Sequence, residues 1–329
     1  MQSKHRIAAL ILREGDALLG SAEQMGIPVA LLPPDMTLPY RSIREKLQCD
    51  ETVQGKINRW VEGLKDFQPD VGVVFYGYWI PPVLYTMPRL GFLNYHPAPL
   101  PDLRGMEPDT LAILQGRESM CGTVHQVSLN YDDGPILAYT PRIRLTRYTT
   151  PQQIFETLTR YATRTIVRVL DRLARGKAEA VPQSEHHAQD ATRKRARQES
   201  SIRWHADTVD MIERRRRAFL GQDIGIRLKA DVGGTVFAVD DLESHAGLYP
   251  GKPGKVIGVY GGEGPFHGCP IVRAKDGVAV LRLGSPVPSD GARAKEPPAP
   301  RILPPGRRAK QTHRATVQRS VRAGSGQGR

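Results

Sequence analysis

The chain has 329 residues, 47 Lys+Arg against 34 Asp+Glu, and three cysteines, for a formal net charge of +13. At 40% hydrophobic and 25% charged it has a globular composition, with length for one large or two ordinary domains. Collagen, a helical membrane span of roughly 18–20 apolar residues and a cystine-stapled secreted scaffold are excluded. Cys49, Cys121 and Cys269 form no CxxC pair, and residues 1–6 lack a signal-like apolar core, so a cytoplasmic location is the expectation.

In chain order, apolar and β-branched or aromatic runs at residues 7–12, 28–32, 71–76 and 92–95 read as strands. Residues 16–25 between the first two carry apolar side chains at helical spacing, and residues 42–67 read as one or two helices. Strands alternating with helices argue for an α/β domain with a doubly wound, mostly parallel sheet. Residues 136–145 read as a strand. Residues 150–175 then place Ile154, Leu158, Tyr161, Ala162, Ile166, Val169, Leu170 and Leu173 on one helical face, with Gly176 as a stop signal.

Residues 181–200 are mostly polar and read as a linker. A helix at 206–219 follows, and then short strands at 224–228, 235–239, 256–260, 271–273 and 278–283, which suggest a small β-barrel-like domain. From Pro286 to Arg329 there are ten Lys/Arg against Asp290 and Glu296, leaving +5 for the rest of the chain. That stretch has too few large apolar residues to offset its ordering entropy and reads as a disordered basic tail. Such a tail is either a phosphate-binding arm or a solvated extension. The expected domains are therefore 1–180, a linker at 181–200, 201–284, and a tail at 285–329.

Residues 91–105, GFLNYHPAPLPDLRG, are the most unusual segment. A strand ends at Asn94-Tyr95-His96 and is stopped by Pro97, Pro99 and Pro101. Side chains alternate along a strand, so Asn94 and His96 face the same side at its carboxyl end, where open α/β sheets bind ligands. An amide donor beside an imidazole can stabilise an oxyanion and move a proton. Equally, two polar groups at a strand end can simply tie down the proline-rich turn. Asp132-Asp133-Gly134-Pro135 reads first as a turn. Only two carboxylates cluster there, without His or Cys at ligand spacing, so a metal site is not expected. The glycines form neither a GxGxxG nor a P-loop.

In order along the chain, Asn94-x-His96-Pro97, Leu100-Pro101, Arg104-Gly105, Thr123-Val124-His125 and Asp132-x-Gly134-Pro135-Ile136 resemble the formyltransferase family that uses 10-formyltetrahydrofolate. Pro69-Asp70, Pro182-Gln183, Trp204, Arg217-Ala218-Phe219 and Pro253-Gly254-Lys255-Val256 are similar to it as well. The resemblance runs from about Arg6 to Leu283. It implies formyl transfer from that folate to a primary amine, with Asn94, His96 and Asp132 as catalytic residues. It also implies a pterin held by the backbone of Tyr78-Trp79-Ile80 and of the loop before Asp132, for which core packing is the competing reading of Trp79 and Ile80. Arg104 and Gly105 are the expected acceptor-side residues.

The family's first strand and helix have no counterpart before residue 7, and residues 7–32 resemble its second strand, second helix and third strand. Because the first strand of a doubly wound sheet is central, exposed edges on its neighbours are expected. At the position of the basic loop of methionyl-tRNA formyltransferases stands Arg13-Glu14-Gly15-Asp16, short and acidic. That favours a small amine such as an amino-sugar nucleotide or an amino-acid side chain, whereas basic runs at 193–197 and 214–217 suit the phosphates of tRNA. The alternative reading is a non-catalytic family member acting as a binding protein.

Overall fold

A computed structural model describes residues 4–37, 47, 49–75, 79–184, 190–222 and 224–287. The expected tail and Tyr78 lie outside the described residues, apart from 285–287. The amino-terminal part begins with β1 (Leu10–Leu12), α1 (Leu19–Gln24) and β2 (Val29–Leu31). It continues with α2 (Glu51–Leu64), β3 (Gly72–Phe75), the one-turn α3 (Pro82–Tyr85) and β4 (Phe92–His96). Next come α4 (Pro108–Leu114), β5 (Ser119–Met120), β6 (Thr123–Gln126), β7 (Ile136–Tyr139), β8 (Ile143–Arg144) and α5 (Pro151–Ala174).

The sheet is mixed rather than mostly parallel. Its order is β3-β4-β6-β7, with β3 parallel to β4 and both later pairs antiparallel. The connection at 127–135 between β6 and β7 is too short for a crossover helix, so it returns the chain alongside itself. β1 and β2 form a separate parallel pair, with Ile11 opposite Ala30. Among the described residues no hydrogen-bonded ladder joins this pair to β3, and Ile11, Val73 and Phe75 stand 36%, 37% and 46% exposed.

α5 follows its apolar period closely. Thr150 and Gln153 form a reciprocal capping box at its start, and Ile154, Leu158, Ala162, Ile166 and Val169 are buried. They share one apolar cluster with Leu93, Tyr95 and Val124 of the sheet. A second cluster, with Val53, Ile57, Val61 and Phe92, packs α2 on the opposite face and takes in Val74.

Two expectations for the rest of the chain need correction. Within the segment read as a linker, Thr192 caps α6 (Arg193–Glu199), and Ala191 and Ala196 are fully buried. Those two small residues dock where the surrounding charges mask any apolar period. Residues 224–228 do not form a strand. Gly225 takes φ +65, which interrupts extended backbone, although Ile226 and Leu228 are buried. After α7 (Val209–Phe219) the sheet starts instead at β9 (Lys229–Val232) and continues through β10 (Thr235–Ala246), β11 (Val256–Val259), β12 (Pro270–Arg273) and β13 (Gly277–Pro286). The order β11-β12-β13-β10-β9 is antiparallel throughout. Register shifts between β10 and β13 curl it into a half-barrel with β9 and β11 as its outer strands.

The arginines at 214–217 face inward or pair locally. Arg214 meets Asp210 at 2.6 Å, Arg216 meets Glu213 at 2.7 Å, and Arg217 donates to the backbone carbonyl of Thr149 at 2.9 Å. Arg215 is buried against the fully buried Asp207 at 2.7 Å and also reaches Glu199. Removing one partner of a buried ion pair leaves the other uncompensated. Arg215→Ala is therefore expected to destabilise the chain by about 3–5 kcal/mol in denaturant unfolding, whereas Arg214→Ala, which breaks a half-exposed helix pair, changes it by about 0.5 kcal/mol.

Candidate active site

The sheet brings four polar side chains to one place. Asn94 lies directly across the β4–β6 ladder from His125, and His96 lies two residues further along β4 on the same face. Asp132 enters from the connection between β6 and β7, with φ +53. The structure thus brings Asn94, His96 and Asp132 together, and it adds His125.

Asp132 is the centre of the cluster. Its Oδ2 accepts the Gly105 N–H at 2.9 Å and lies 3.6 Å from His96 Nδ1. Its Oδ1 accepts from Asn94 Nδ2 at 3.2 Å and lies 3.6 Å from His125 Nε2. Burial pushes the carboxyl up, but the two imidazoles and the Gly105 N–H outweigh it and hold Asp132 well below the usual carboxylate range. It is ionised at any working pH.

His96 is buried, and its Nε2–H donates to the carbonyl of Leu103 at 2.8 Å. That bond leaves Nδ1 as the atom facing Asp132, beyond direct hydrogen-bond reach. Burial lowers the His96 pKa more than Asp132 raises it, so the ring is neutral near pH 7 and Nδ1 is a proton acceptor. His125 donates from Nδ1 to the Gln126 carbonyl at 2.8 Å, and its Nε2 faces Asn94 Nδ2 at 3.2 Å. Both N–H groups of Asn94 are then engaged, while Asn94 Oδ1 is buried without a hydrogen-bond partner. A bare amide oxygen in the middle of the cluster fits an N–H donor on a bound substrate.

The walls come from three loops. Trp79 packs in the α2 cluster, and its Nε1–H donates to the Leu129 carbonyl at 3.1 Å, tying the loop after β3 to the loop before Asp132. Ile80 packs against the same cluster, so both side chains are part of the core, with the Trp79 indole also bonded to the Leu129 loop. Asp133 accepts from Ser128 and, at 2.8 Å, from Asn130, which closes the Asp132 loop on itself. Arg104 donates to Gln183 Oε1 at 2.8 and 3.2 Å, and Gln183 Nε2 donates to the carbonyls of Asp132 and Gly134. Neither His125 nor Gln183 was assigned to the site from sequence. Thr123-Val124-His125 and Pro182-Gln183 carry the family resemblance, but a role required the β4–β6 register and a contact across 51 residues.

A family model described as formyl transferase matches residues 2–170, half of the chain. The chain belongs to the formyl transferase family. The methionyl-tRNA formyltransferase of Chloroflexus aurantiacus is 31% identical to this formyltransferase chain over 220 residues, 65% of the chain and 69% of that protein. That of Chloroflexus aggregans is 36% identical over 160 residues, covering 48% and 51%. Among solved structures, HypX from Aquifex aeolicus in complex with tetrahydrofolic acid shares the fold at a TM-score of 0.53 and 19% identity, over 83% of this chain and 43% of that one. A sugar N-formyltransferase from a Shewanella species matches at 0.50 and 15% identity, over 71% and 97%. The chain thus spans about half to two thirds of the curated relatives and less than half of HypX. Among the described residues no helix is long and apolar enough to cross a membrane, and no cluster of three metal-ligating side chains occurs.

Gly134 has no room for a side chain, since a Cβ there would lie 1.9 Å from the Gln126 carbonyl. Gly134→Ala must therefore spread β6 from the Asp132 loop. It is expected to cost about 2–3 kcal/mol in urea unfolding, the upper range for overpacking.

Proposed function

We propose that this chain transfers the formyl group of 10-formyltetrahydrofolate to a primary amine. The observation that carries the reading is the convergence of Asn94, a neutral His96 Nδ1 and an ionised Asp132 on one face at the carboxyl end of β4. Such a set suits acyl transfer and has no use in a protein that only binds, so the catalytic reading is preferred to the binding-protein alternative. The folate is a co-substrate that supplies the formyl carbon and the leaving nitrogen. The backbone of Tyr78, Trp79 and Ile80 and the loop before Asp132 hold its pterin, a role supported by the Trp79–Leu129 bond that joins these two segments.

Asn94 exchanges its bond to His125 for one to the formyl oxygen as that oxygen gains charge, and its bare Oδ1 accepts an N–H of the incoming amine. His96 Nδ1 takes the proton that the amine loses as its bond to the formyl carbon forms. His96 then returns that proton to the leaving nitrogen as the old carbon–nitrogen bond breaks. Asp132 stabilises the transient imidazolium. The turn carrying Arg104 and Gly105 forms the acceptor-side wall, since it lies against the Asp132 carboxylate. Residues 1–180 carry this site in the proposal, and 201–284 form the second domain.

Two acceptor classes are supported by different observations. The 31–36% identical relatives are methionyl-tRNA formyltransferases. The internal pairing of Arg214 to Arg217 and the acidic turn Glu14-Gly15-Asp16 favour a small amine such as an amino-sugar nucleotide. Formyl transfer to Met-tRNA measured beside a panel of amino-sugar nucleotides decides between them, and transfer to neither overturns the reading.

His96→Ala and Asp132→Ala are each expected to lower kcat about 10²–10³-fold, with little change in unfolding midpoint. His96 acts when neutral, and its pKa lies below the ordinary 6.5, so activity is retained above that value and lost as pH falls through the lowered pKa. With kcat/KM expressed on free amine, the acid limb should fall below pH 6.5. A limb at or above that value contradicts a buried, neutral His96.

A further inference from the structure

We infer that Gln183 is a positioning residue that sets the Asp132 carboxylate by locking together the two loops that hold it. Asp132 sits in the left-handed region at φ +53, which aspartate tolerates better than most side chains but which does not by itself fix the direction of the carboxylate. Gln183 Nε2 supplies a further constraint, donating to the Asp132 carbonyl at 2.8 Å and to the Gly134 carbonyl at 2.7 Å. Its Oε1 accepts from Arg104 Nη2 at 2.8 Å and Nε at 3.2 Å. The next residue, Gly105, donates its N–H to Asp132 Oδ2 at 2.9 Å.

A closed ring results. It runs from the Asp132 backbone through the Gln183 amide and the Arg104 guanidinium to the Gly105 N–H, and back to the Asp132 carboxylate. Only a side-chain amide satisfies both halves, because a carboxylate has no donor for the two carbonyls and an ammonium has no acceptor for Arg104. Gln183 is itself anchored two residues earlier, where Val181 and Ile136 exchange backbone hydrogen bonds at 2.8 Å. The far side of the ring is anchored too. The Arg104 carbonyl accepts from the Ala191 N–H, and a Cβ on Gly105 would lie 3.0 Å from the Ala191 carbonyl. Gln183 reaches Asp132 through the backbone carbonyl and acts on chemistry only through where it puts the Asp132 carboxylate.

The activity half of the test rests on the proposed formyl transfer, so a second readout is independent of it. Full-length Gln183→Ala and Gln183→Glu are compared with wild type by amide hydrogen exchange at Gly105. They are also compared by steady-state transfer from 10-formyltetrahydrofolate to whichever acceptor, Met-tRNA or an amino-sugar nucleotide, wild type uses. Both variants should speed exchange at Gly105 about tenfold or more while a core amide such as Leu281 is unchanged. Both should lower kcat about 10–100-fold, the cost of a misplacement near 1 Å, with the folate KM little altered. In an Asp132→Asn background, adding Gln183→Ala should change kcat by less than about threefold, because the two act as one unit. Gln183→Glu is the sharper variant, since it keeps the Arg104 pair and removes only the donor to the loop. Wild-type exchange at Gly105 and wild-type kcat in Gln183→Glu would overturn the inference. A response at Gly105 in a chain that transfers no formyl group sinks the functional reading and leaves the positioning role standing.

Discussion

A carboxylate taken out of water needs donors, and Asp132 has two, with two imidazoles close by. The Gly105 N–H, the Asn94 amide, and the imidazoles of His96 and His125 all lie within 3.6 Å of its oxygens. They come from β4, β6 and the turn at Gly105, so the fold has to close correctly for the charge to be tolerated at all. The same arrangement gives the site its chemistry. The Nε2 bond of His96 to the Leu103 carbonyl leaves Nδ1 as the open atom, and burial keeps it unprotonated beside a permanent negative charge. Proton transfer therefore depends on one ionised group.

Much of this was legible in the residue order, for reasons that differ from element to element. α5 could be read because eight apolar positions, a threonine cap and a terminal glycine agree. Asn94 and His96 could be read because a strand has period two and prolines end it. The direction of β6 and β7 could not be read, since parallel and antiparallel strands carry the same alternation. α6 was hidden because its docking surface is two alanines among arginines, and residues 224–228 looked extended until Gly225 bent them. His125 and Gln183 escaped because their roles depend on register and on contacts across the fold. Tyr78 lies outside the described residues.

The charge of the chain is a poor guide to its partner. Arg214, Arg215 and Arg216 have acidic partners, and Arg217 turns to backbone carbonyls, so that run presents less positive surface than its sequence suggests. The uncovered part of the structure is apolar instead. Val73 and Phe75 on β3 and Ile11 on β1 are exposed, and among the described residues no ladder pairs β1 or β2 with β3. The site lies one strand further in, at β4 and β6, where both faces of the sheet are covered by α2 and α5. Its geometry is thus built on the better packed half of the sheet.

The most direct measurement is a crystal structure of the chain with 5-formyltetrahydrofolate, whose formyl group is not transferred. The formyl carbon should lie about 3–4 Å from His96 Nδ1 and from the Asn94 amide, the range of a near-attack geometry, with the pterin along the Trp79 and Leu129 loops. A folate seated elsewhere, or one whose formyl group points away from Asp132, would contradict the assignment of this cluster as the centre of transfer.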